Sequence, residues 1–313
     1  MSKIATREAY GKALQKLGAE NKDIVVLDAD LSKSTKTADF AKLFPERFFD
    51  MGVAEANMLG TAAGLAAAGK IPFASSFAVF ATGRAFEQIR NSIAYPGMNV
   101  KIAATHAGLS VGEDGASHQS IEDIAIMRVL PNMTVIVPAD ATETEKAIRA
   151  AVEIKGPVYI RLGRLGLPVL FDDSYNFTVG KAYTLQDGKD VTIIACGLMV
   201  EPARDAAAEL AKAGIQARVL NMPTIKPIDR DAITAAARDT GAIVTAEEHS
   251  IIGGLGSAVA EVLAENVPAP LERVGVKDTF GESGKPAELL EKYGLTAEEI
   301  VTAVKRVLER KKK

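Results

Sequence analysis

The sequence predicts an α/β protein of two domains, each a mostly parallel sheet with helices on both faces. Short continuous apolar runs, as in buried parallel strands, alternate with helical segments along the chain. This alternation stops once, between residues 166 and 188, and then resumes. With 313 residues the chain is long enough for two cores. We therefore expect a first domain at 1–165, a linker at 166–188 and a second domain at 189–313.

In the first domain, a helix is predicted to start at Thr6, whose hydroxyl can cap it, and to run to about Gly18. Apolar runs predict six strands, at residues 24–27, 48–51, 71–74, 100–105, 133–137 and 158–162. The run at 48–51 is interpreted as a short buried strand. Further helices are predicted at residues 58–68, 84–94 and 142–154.

In the second domain, the same pattern predicts four strands and three main helices. The strands lie at residues 191–195, 216–220, 242–246 and 271–274, and the helices at 201–213, 257–265 and 297–309. The segment between the domains contains Pro168 and the turn Asp187-Gly188, which suit a linker.

The composition excludes several classes of protein. A net charge of −3 gives no electrostatic reason to expect nucleic acid or an anionic membrane as a partner. Cys196 is the single cysteine, which excludes an intrachain disulfide and a cysteine-rich zinc site. The first residues lack the apolar core of a signal peptide, and no apolar run is long enough to span a bilayer. A cytoplasmic protein is expected.

Unusual polar and aromatic residues follow consecutive strands of the first domain. Asp30 follows the first strand, Glu55 the second, Phe77 the third and His106 the fourth. In a parallel sheet these strand ends share one edge, where open α/β sheets bind ligands. The alternative for Glu55 is a glutamate that stabilises the start of a helix through the macrodipole.

The loop at residues 105–120 is the richest in functional side chains. It contains His106, His118, Asp114 and three glycines, and a loop this long is usually functional or disordered. A zinc site and a serine hydrolase are both conceivable, but no metal-ligand spacing and no Gly-x-Ser-x-Gly elbow matches. Acid–base catalysis or recognition of substrate hydroxyls suits these residues better, and a loop held by its own hydrogen bonds remains the alternative.

Two further groups could bind a ligand. Phe77 and Phe80 are three residues apart, so they share a face if a helix starts there. Phe77 could stack on a heteroaromatic ring, whereas core packing is the competing explanation for Phe80. Arg161 and Arg164 follow the sixth strand and Ser34 follows the first, and together they could hold a phosphate.

Taken together, these segments resemble the thiamine-diphosphate-dependent transketolase family. Gly-Val-x-Glu-x-x-Met at residues 52–58 is similar to the family's cofactor glutamate motif, and residues 75–80 are similar to its aromatic segment. The most specific match is Thr-His at 105–106 with Gly-Glu-Asp-Gly-x-x-His-Gln at 112–119. The resemblance runs the length of the chain but covers only the family's pyrimidine-binding and C-terminal domains.

The resemblance implies roles for the cofactor-facing residues. Glu55 would hydrogen-bond N1′ of the pyrimidine and favour the imino tautomer that deprotonates the thiazolium C2. Phe77 would stack on the aminopyrimidine with Phe80 close by, and Asp30 would lie near the thiazolium and the sugar. Gly83 departs from the family pattern, which often has an aromatic or charged residue beside the ring.

The resemblance also implies roles for the substrate-facing residues. His106 and His118 would contact the donor carbonyl and hydroxyls and assist proton transfer, and Asp114 would recognise a sugar hydroxyl. Ser34 and Arg164 would bind the sugar phosphate, with Arg161 as a second possible ligand. The implied reaction moves a two-carbon ketol unit from a ketose phosphate to an aldose phosphate, as in the pentose phosphate pathway.

The family's diphosphate-binding motif, Gly-Asp-Gly followed by a spaced Asn, has no counterpart in this sequence. The chain therefore resembles the C-terminal subunit of a split transketolase. Its cofactor would be thiamine diphosphate, with the Mg²⁺ ligands on an N-terminal subunit that carries the diphosphate-binding domain. A dimer-based, α2β2-like assembly is expected.

Three other interpretations remain. The beta subunit of a 2-oxo-acid dehydrogenase has the same two domains but needs no sugar-phosphate site. Deoxyxylulose-phosphate synthase is normally a single fused chain. In a non-catalytic assembly or regulatory subunit, the convergence of polar residues would be chance. The loop at 112–119, together with Ser34 and Arg164, favours transketolase.

Overall fold

The computed structural model describes residues 3–311. The first two residues of the predicted first domain and the last two of the predicted second domain therefore lie outside the described residues. The strands, in chain order, are β1 (Lys3–Ala5), β2 (Ile24–Asp28), β3 (Phe48–Asp50), β4 (Ile71–Ser75), β5 (Lys101–Ala104), β6 (Thr134–Ile136), β7 (Val158–Arg161), β8 (Gly166–Pro168), β9 (Tyr183–Gln186), β10 (Val191–Ala195), β11 (Ala217–Asn221), β12 (Thr224–Lys226), β13 (Ile243–Ser250) and β14 (Leu271–Val276).

The α-helices are α1 (Thr6–Glu20), α2 (Ser32–Thr35), α3 (Ala38–Leu43), α4 (Glu55–Ala67), α5 (Phe86–Gln88), α6 (Asp123–Arg128), α7 (Ala141–Glu153), α8 (Val200–Lys212), α9 (Arg230–Thr240), α10 (Leu255–Glu265), α11 (Pro286–Lys292) and α12 (Ala297–Lys311). Two π-helical segments, Phe80–Arg84 and Ile89–Ala94, flank α5. Within residues 3–311, none of the helices has the length and apolar character that crossing a membrane would require.

The strands form two large sheets and one small one. The first large sheet has the order β12-β6-β7-β5-β4-β2-β3 and the second has the order β14-β13-β10-β11-β9. In the part of these two sheets that residues 3–311 form, only the edge strands β12 and β9 run antiparallel to their neighbours. The α/β prediction of two mostly parallel sheets is therefore confirmed. The segment predicted as a linker contains β8, which pairs with β1, and β9, which belongs to the second sheet.

Helices cover both faces of the first sheet, as successive residues of β2 demonstrate. Val26 belongs to a core cluster with Leu14 of α1, and the next residue, Leu27, belongs to a second cluster with Leu59 of α4. Successive side chains of a strand point to opposite faces, so a strand buried on both faces is apolar throughout. This is why the apolar runs located the central strands correctly.

Three local predictions were wrong in detail. Thr6 lies inside α1 and caps nothing; its hydroxyl instead accepts a hydrogen bond from the backbone N–H of Gly163 at 2.7 Å. The strand at 48–51 is not buried in the single chain, because β3 is the edge of its sheet and only β2 pairs with it among the described residues. The helix predicted at 84–94 is divided between α5 and two π-helical segments.

Candidate active site

The site lies at the carboxyl edge of the first sheet, where four loops follow the adjacent strands β5, β4, β2 and β3. Asp30 and His106 come directly after β2 and β5, and both have left-handed backbones, with φ of 60° and 55°. Such conformations are uncommon outside glycine and often occur at functional sites. The parallel order of these strands brings the predicted residues to one edge.

The ring of His106 lies parallel to the ring of Phe77, with centroids 3.8 Å apart. Phe80 stacks with Phe77 at 5.9 Å and meets the edge of His118 at 5.1 Å. The separations of 5.9 and 5.1 Å lie in the range in which aromatic pairs gain stability in addition to the burial of their surface. The structure thus joins both histidines of the loop to both phenylalanines of the segment after β4.

Glu55 begins α4 and its side chain is only 4% exposed. Its carboxylate accepts a hydrogen bond from the half-exposed guanidinium of Arg84 at 3.1 Å. The same guanidinium lies 4.1 Å from the centroid of the Phe80 ring. A single flat cation therefore connects the buried carboxylate to the aromatic cluster.

Arg84 was not among the predicted residues, and the feature that distinguishes it is visible only in the structure. It ends the π-helical segment Phe80–Arg84, and such segments contain an extra residue and are frequent at functional sites. The space beside Gly83 is open, because no described atom would lie within 4 Å of a Cβ added at this glycine. Gly83 therefore leaves open, among the described residues, the position at which the resemblance implied an aromatic or charged residue.

The imidazole of His106 is held in its neutral form. Burial is the largest cause that lowers the pKa of His106 to about 3, and the positive charges of Arg7 and Arg164 add to it. Arg7 can only donate, so Nε2 of His106 accepts from it at 3.1 Å. The ring proton must then be on Nδ1, 2.8 Å from the hydroxyl oxygen of Thr105.

Arg7 is a second residue that sequence reasoning missed. It lies in the first turn of α1, where the macrodipole disfavours a cation, and this was the available signal. Its guanidinium donates to the backbone oxygen of Ser34 at 2.9 Å as well as to His106. Burial and the charge of Arg164 lower the pKa of Arg7. We call Arg7 and Arg164 the basic rim.

Arg164 completes the basic rim. Its guanidinium donates to the backbone oxygen of Val111 at 2.7 Å and lies 3.7 Å from Asp114 and 3.9 Å from Glu113. The basic rim therefore joins the loop at 105–120 to the segment that contains Ser34. A positive rim of this kind can bind a phosphate or another anion.

Arg161 lies elsewhere. It is buried, and its guanidinium donates to Asp123 at 2.8 Å and to the backbone oxygens of Ser120 and Glu248 at 3.3 and 2.8 Å. These contacts give Arg161 an internal, structural role. Of the two arginines, Arg164 is the one with an exposed side chain, at 39% against 6% for Arg161.

Asp30 is exposed beyond the end of β2, and its backbone N–H donates to the carboxylate of Asp50 at 3.1 Å. Below it, the carboxylate of Asp28 accepts from Leu31 N–H and from the hydroxyls of Thr35 and Thr37. Burial raises the pKa of Asp28 to about 6. This network holds the turn that carries Asp30. Within residues 3–311, no group of three or more His, Cys, Asp or Glu residues could hold a metal ion.

Comparisons with known proteins agree with this geometry. The family model for the transketolase pyrimidine-binding domain matches residues 2–169, and the model for the transketolase C-terminal domain matches residues 180–300. A putative transketolase C-terminal section of Methanocaldococcus jannaschii is 54% identical over 310 residues, which are 98% of this chain and 96% of that protein.

Two further relatives are similar over nearly their whole length. A 6-deoxy-6-sulfo-D-fructose transketolase subunit of Clostridium sp. is 50% identical over 307 residues, 97% of this chain and 95% of that protein. A solved structure described as a split gene transketolase, inactive beta4 tetramer, is 64% identical with a TM-score of 0.92. That match covers 98% of this chain and 99% of the solved chain.

Proposed function

This chain belongs to the transketolase family, and from that premise we propose that it is the C-terminal subunit of a two-chain transketolase. The enzyme would move a two-carbon ketol unit from a ketose phosphate to an aldose phosphate. Its cofactor would be thiamine diphosphate. The partner subunit would supply the diphosphate-binding domain and the Mg²⁺ ligands.

One observation carries the cofactor assignment. The guanidinium of Arg84 is flat, stacks on Phe80 and donates an N–H to the buried carboxylate of Glu55. A planar heterocycle with an N–H at its edge can make the same two contacts. The aminopyrimidine half of thiamine diphosphate is such a ring when its N1′ carries a proton, so the residues present fit it.

When bound, thiamine diphosphate would supply a carbon nucleophile able to attack the ketose carbonyl and to stabilise the charge left when the adjacent bond is cleaved. Glu55 would hold a proton at the pyrimidine N1′. Because the carboxylate is buried, its charge would interact strongly with that proton. Phe77 and Phe80 would orient the ring and exclude water from it.

The remaining residues face the sugar. His118 and Asp114 would hydrogen-bond substrate hydroxyls, and neutral His106 would accept or donate a proton beside the donor carbonyl. The basic rim and Ser34 would bind the anionic end of the sugar. The relative that acts on a sulfosugar suggests that this anion is a phosphate or a sulfonate, so both deserve an assay.

Dependence on a partner is the part of the proposal that the relatives support most directly. A structure 64% identical to this chain is described as a split gene transketolase, inactive beta4 tetramer. By analogy, this chain would self-associate without becoming active. An α2β2-like complex with the N-terminal subunit would complete the site.

The test is reconstitution. The purified chain is expected to show no ketol transfer, whereas mixing it with an N-terminal transketolase subunit from the same organism, thiamine diphosphate and Mg²⁺ should produce it. Xylulose 5-phosphate, fructose 6-phosphate and a 6-sulfo ketose would be compared as donors. Ketol transfer by the single chain would contradict the two-chain proposal, and acyl transfer to a lipoyl acceptor would favour the dehydrogenase alternative.

Replacement of His118 by alanine should lower kcat/KM for the ketose donor about 10- to 100-fold, because a hydrogen-bonding and proton-transfer group is lost. The affinity for thiamine diphosphate, measured by calorimetry, should change much less. Ser117→Ala is the control, since it removes the hydroxyl 2.9 Å from the His118 ring but leaves the ring itself. A large loss of cofactor affinity with normal turnover at saturation would reverse the assignment.

A further inference from the structure

The loop that presents His106 and His118 has little regular structure of its own. Between its ends, which meet in a bridge between Ala107 and Ser120, its regular structure consists of the short 3₁₀ helix Leu109–Val111. The loop is nevertheless largely buried. Its shape must therefore come from contacts with other parts of the chain.

One of these contacts crosses from the second sheet. Glu248 lies on β13, and its Oε1 accepts a hydrogen bond from the backbone N–H of Ser110 at 2.6 Å. The carboxylate is 4% exposed, so its bond to a backbone N–H is protected from water. Burial raises the pKa of Glu248 to about 7, against the opposing effects of Arg161 and of the bond to Ser110. The contact matters through its geometry and burial: a buried backbone N–H that loses its acceptor is left unsatisfied, which is costly.

The loop is shaped to receive that carboxylate. Gly108 has a φ of 82°, and any Cβ at this position would overlap the carboxylate of Glu248. Glycine therefore allows both the left-handed turn and the close approach. The contact requires matching residues on both domains.

Two other contacts hold the same parts together. Arg161 of the first sheet donates to the backbone oxygen of Glu248 at 2.8 Å, which fixes β13 against the loop. At the other end of the loop, the side-chain amide of Gln119 donates to the backbone oxygen of Glu282 at 2.9 Å. The second domain thus forms hydrogen bonds with the loop near both histidines.

We propose that Glu248 is a positioning residue of the site: it holds Ser110, and through it the loop that presents His106 and His118. The role of the loop in catalysis rests on the proposed function, whereas the contact itself does not. Productive geometry at a site tolerates errors of only about 0.5 Å, so a loop without its anchor should bind and turn over substrate poorly.

The test compares variants of two neighbouring glutamates. Glu248→Met keeps the length of the side chain but removes the acceptor, and Glu248→Gln keeps an acceptor. Glu247→Met is the matched control, because Glu247 is equally buried but accepts from Leu255 and Gly256 at the start of α10, within its own domain.

Hydrogen–deuterium exchange of the isolated chain is the first measurement. Residues 107–119 should exchange about 10-fold faster in Glu248→Met, as expected for the loss of a buried hydrogen bond. Glu248→Gln should keep most of the protection. Glu247→Met should accelerate exchange at the start of α10 and leave the loop unchanged.

Kinetics of the reconstituted complex are the second measurement. Glu248→Met should lower kcat/KM for the ketose donor about 10-fold, with recovery in Glu248→Gln, while calorimetry finds the affinity for thiamine diphosphate unchanged. If Glu248→Met does not fold, Gly108→Ala displaces the carboxylate from the loop side and should produce the same local loss.

Unchanged loop exchange in Glu248→Met, or an equal rise in Glu247→Met, would overturn the proposal. These outcomes are distinct from failure of the proposed function. If the wild-type complex shows no ketol transfer, the proposed function fails and the exchange data still decide the role of Glu248.

Discussion

Replacing Glu55 with glutamine should lower kcat of the reconstituted complex by about 10²–10⁴-fold, the usual cost of removing a positioned proton-transfer group. Glutamine keeps the shape and one hydrogen bond, but it cannot take up or release the proton at the pyrimidine N1′. The loss should therefore appear in kcat more than in cofactor affinity.

The fold should tolerate this change. Among the described residues, Glu55 pairs with Arg84. Although the carboxylate is buried, the guanidinium is half exposed and screened by water, so we expect the pair to contribute only about 1 kcal/mol. A neutral amide can still accept a hydrogen bond from Arg84. We expect the free energy of unfolding of Glu55→Gln to stay within about 1 kcal/mol of the wild type.

The decisive measurement is proton–deuterium exchange at C2 of the bound cofactor in the reconstituted complex. Exchange should slow markedly in Glu55→Gln. Glu87→Gln is the control, because Glu87 is exposed on the neighbouring helix α5 and bonds only nearby side chains among the described residues. Near-normal exchange in Glu55→Gln would mean that Glu55 merely stabilises the start of α4, and the cofactor assignment would fail.

Replacing Asp123 with alanine should destabilise the chain by about 3–5 kcal/mol, because it deprives the buried guanidinium of Arg161 of its nearest counter-charge. Asp123 is fully buried and accepts from the Tyr159 hydroxyl at 2.6 Å and from Arg161 at 2.8 Å. Burial would by itself raise the pKa of Asp123, but Arg161 is the main cause that outweighs it and lowers the pKa.

Urea denaturation at a fixed protomer concentration would measure this loss. The control is Glu261→Ala. Glu261 is exposed and forms an ion pair with Arg128 at 2.5 Å, so its replacement should lower the free energy of unfolding by only about 0–1 kcal/mol. Equal losses in the two variants would contradict the structural role of Asp123. The double variant Asp123→Leu/Arg161→Leu should recover part of the stability, since neither charge of this pair is then left without the other. Recovery should be incomplete, because the buried carboxylate of Glu248 lies 3.9 Å from the Arg161 guanidinium and loses this cation.

The Asp123–Arg161 pair should also make the free energy of unfolding depend on pH in the acidic range. Because the folded pKa of Asp123 lies below its ordinary value of about 3.9, its stabilisation is fully present above that pH. It is lost as the pH falls toward the lowered folded pKa. The difference in stability between the wild type and Asp123→Ala should therefore shrink below about pH 4.

Much of the candidate site could be predicted because the position of a buried strand follows from a short local run of apolar residues. The apolar runs at 24–27 and 100–105 located β2 and β5 to within a residue or two. Polar residues directly after such runs, Asp30 and His106, had to lie at the same edge once the strands were taken as parallel. The edge strand β3 was misjudged in burial because a short apolar run does not reveal how many neighbours it has.

The two arginines after the sixth strand illustrate the limit of this reasoning. Arg161 is the last residue of β7 and lies on the same face as Tyr159, so both side chains reach Asp123. Arg164 comes after the chain has left the sheet and joins the basic rim. Their spacing in sequence could not distinguish them, because the deciding partner is in a different element.

By itself, the sequence determined the fold class, most central strands and helices, and the residues that follow the strands, because hydrophobic periodicity is a local property. Only the tertiary structure decided which side chains complete the site. Arg7, Arg84 and Glu248 are ordinary charged residues in sequence, and each acquires its role from a partner distant in the chain. Hydrogen bonds and charges act over a few ångströms in space, and local periodicity does not record which distant segments meet there.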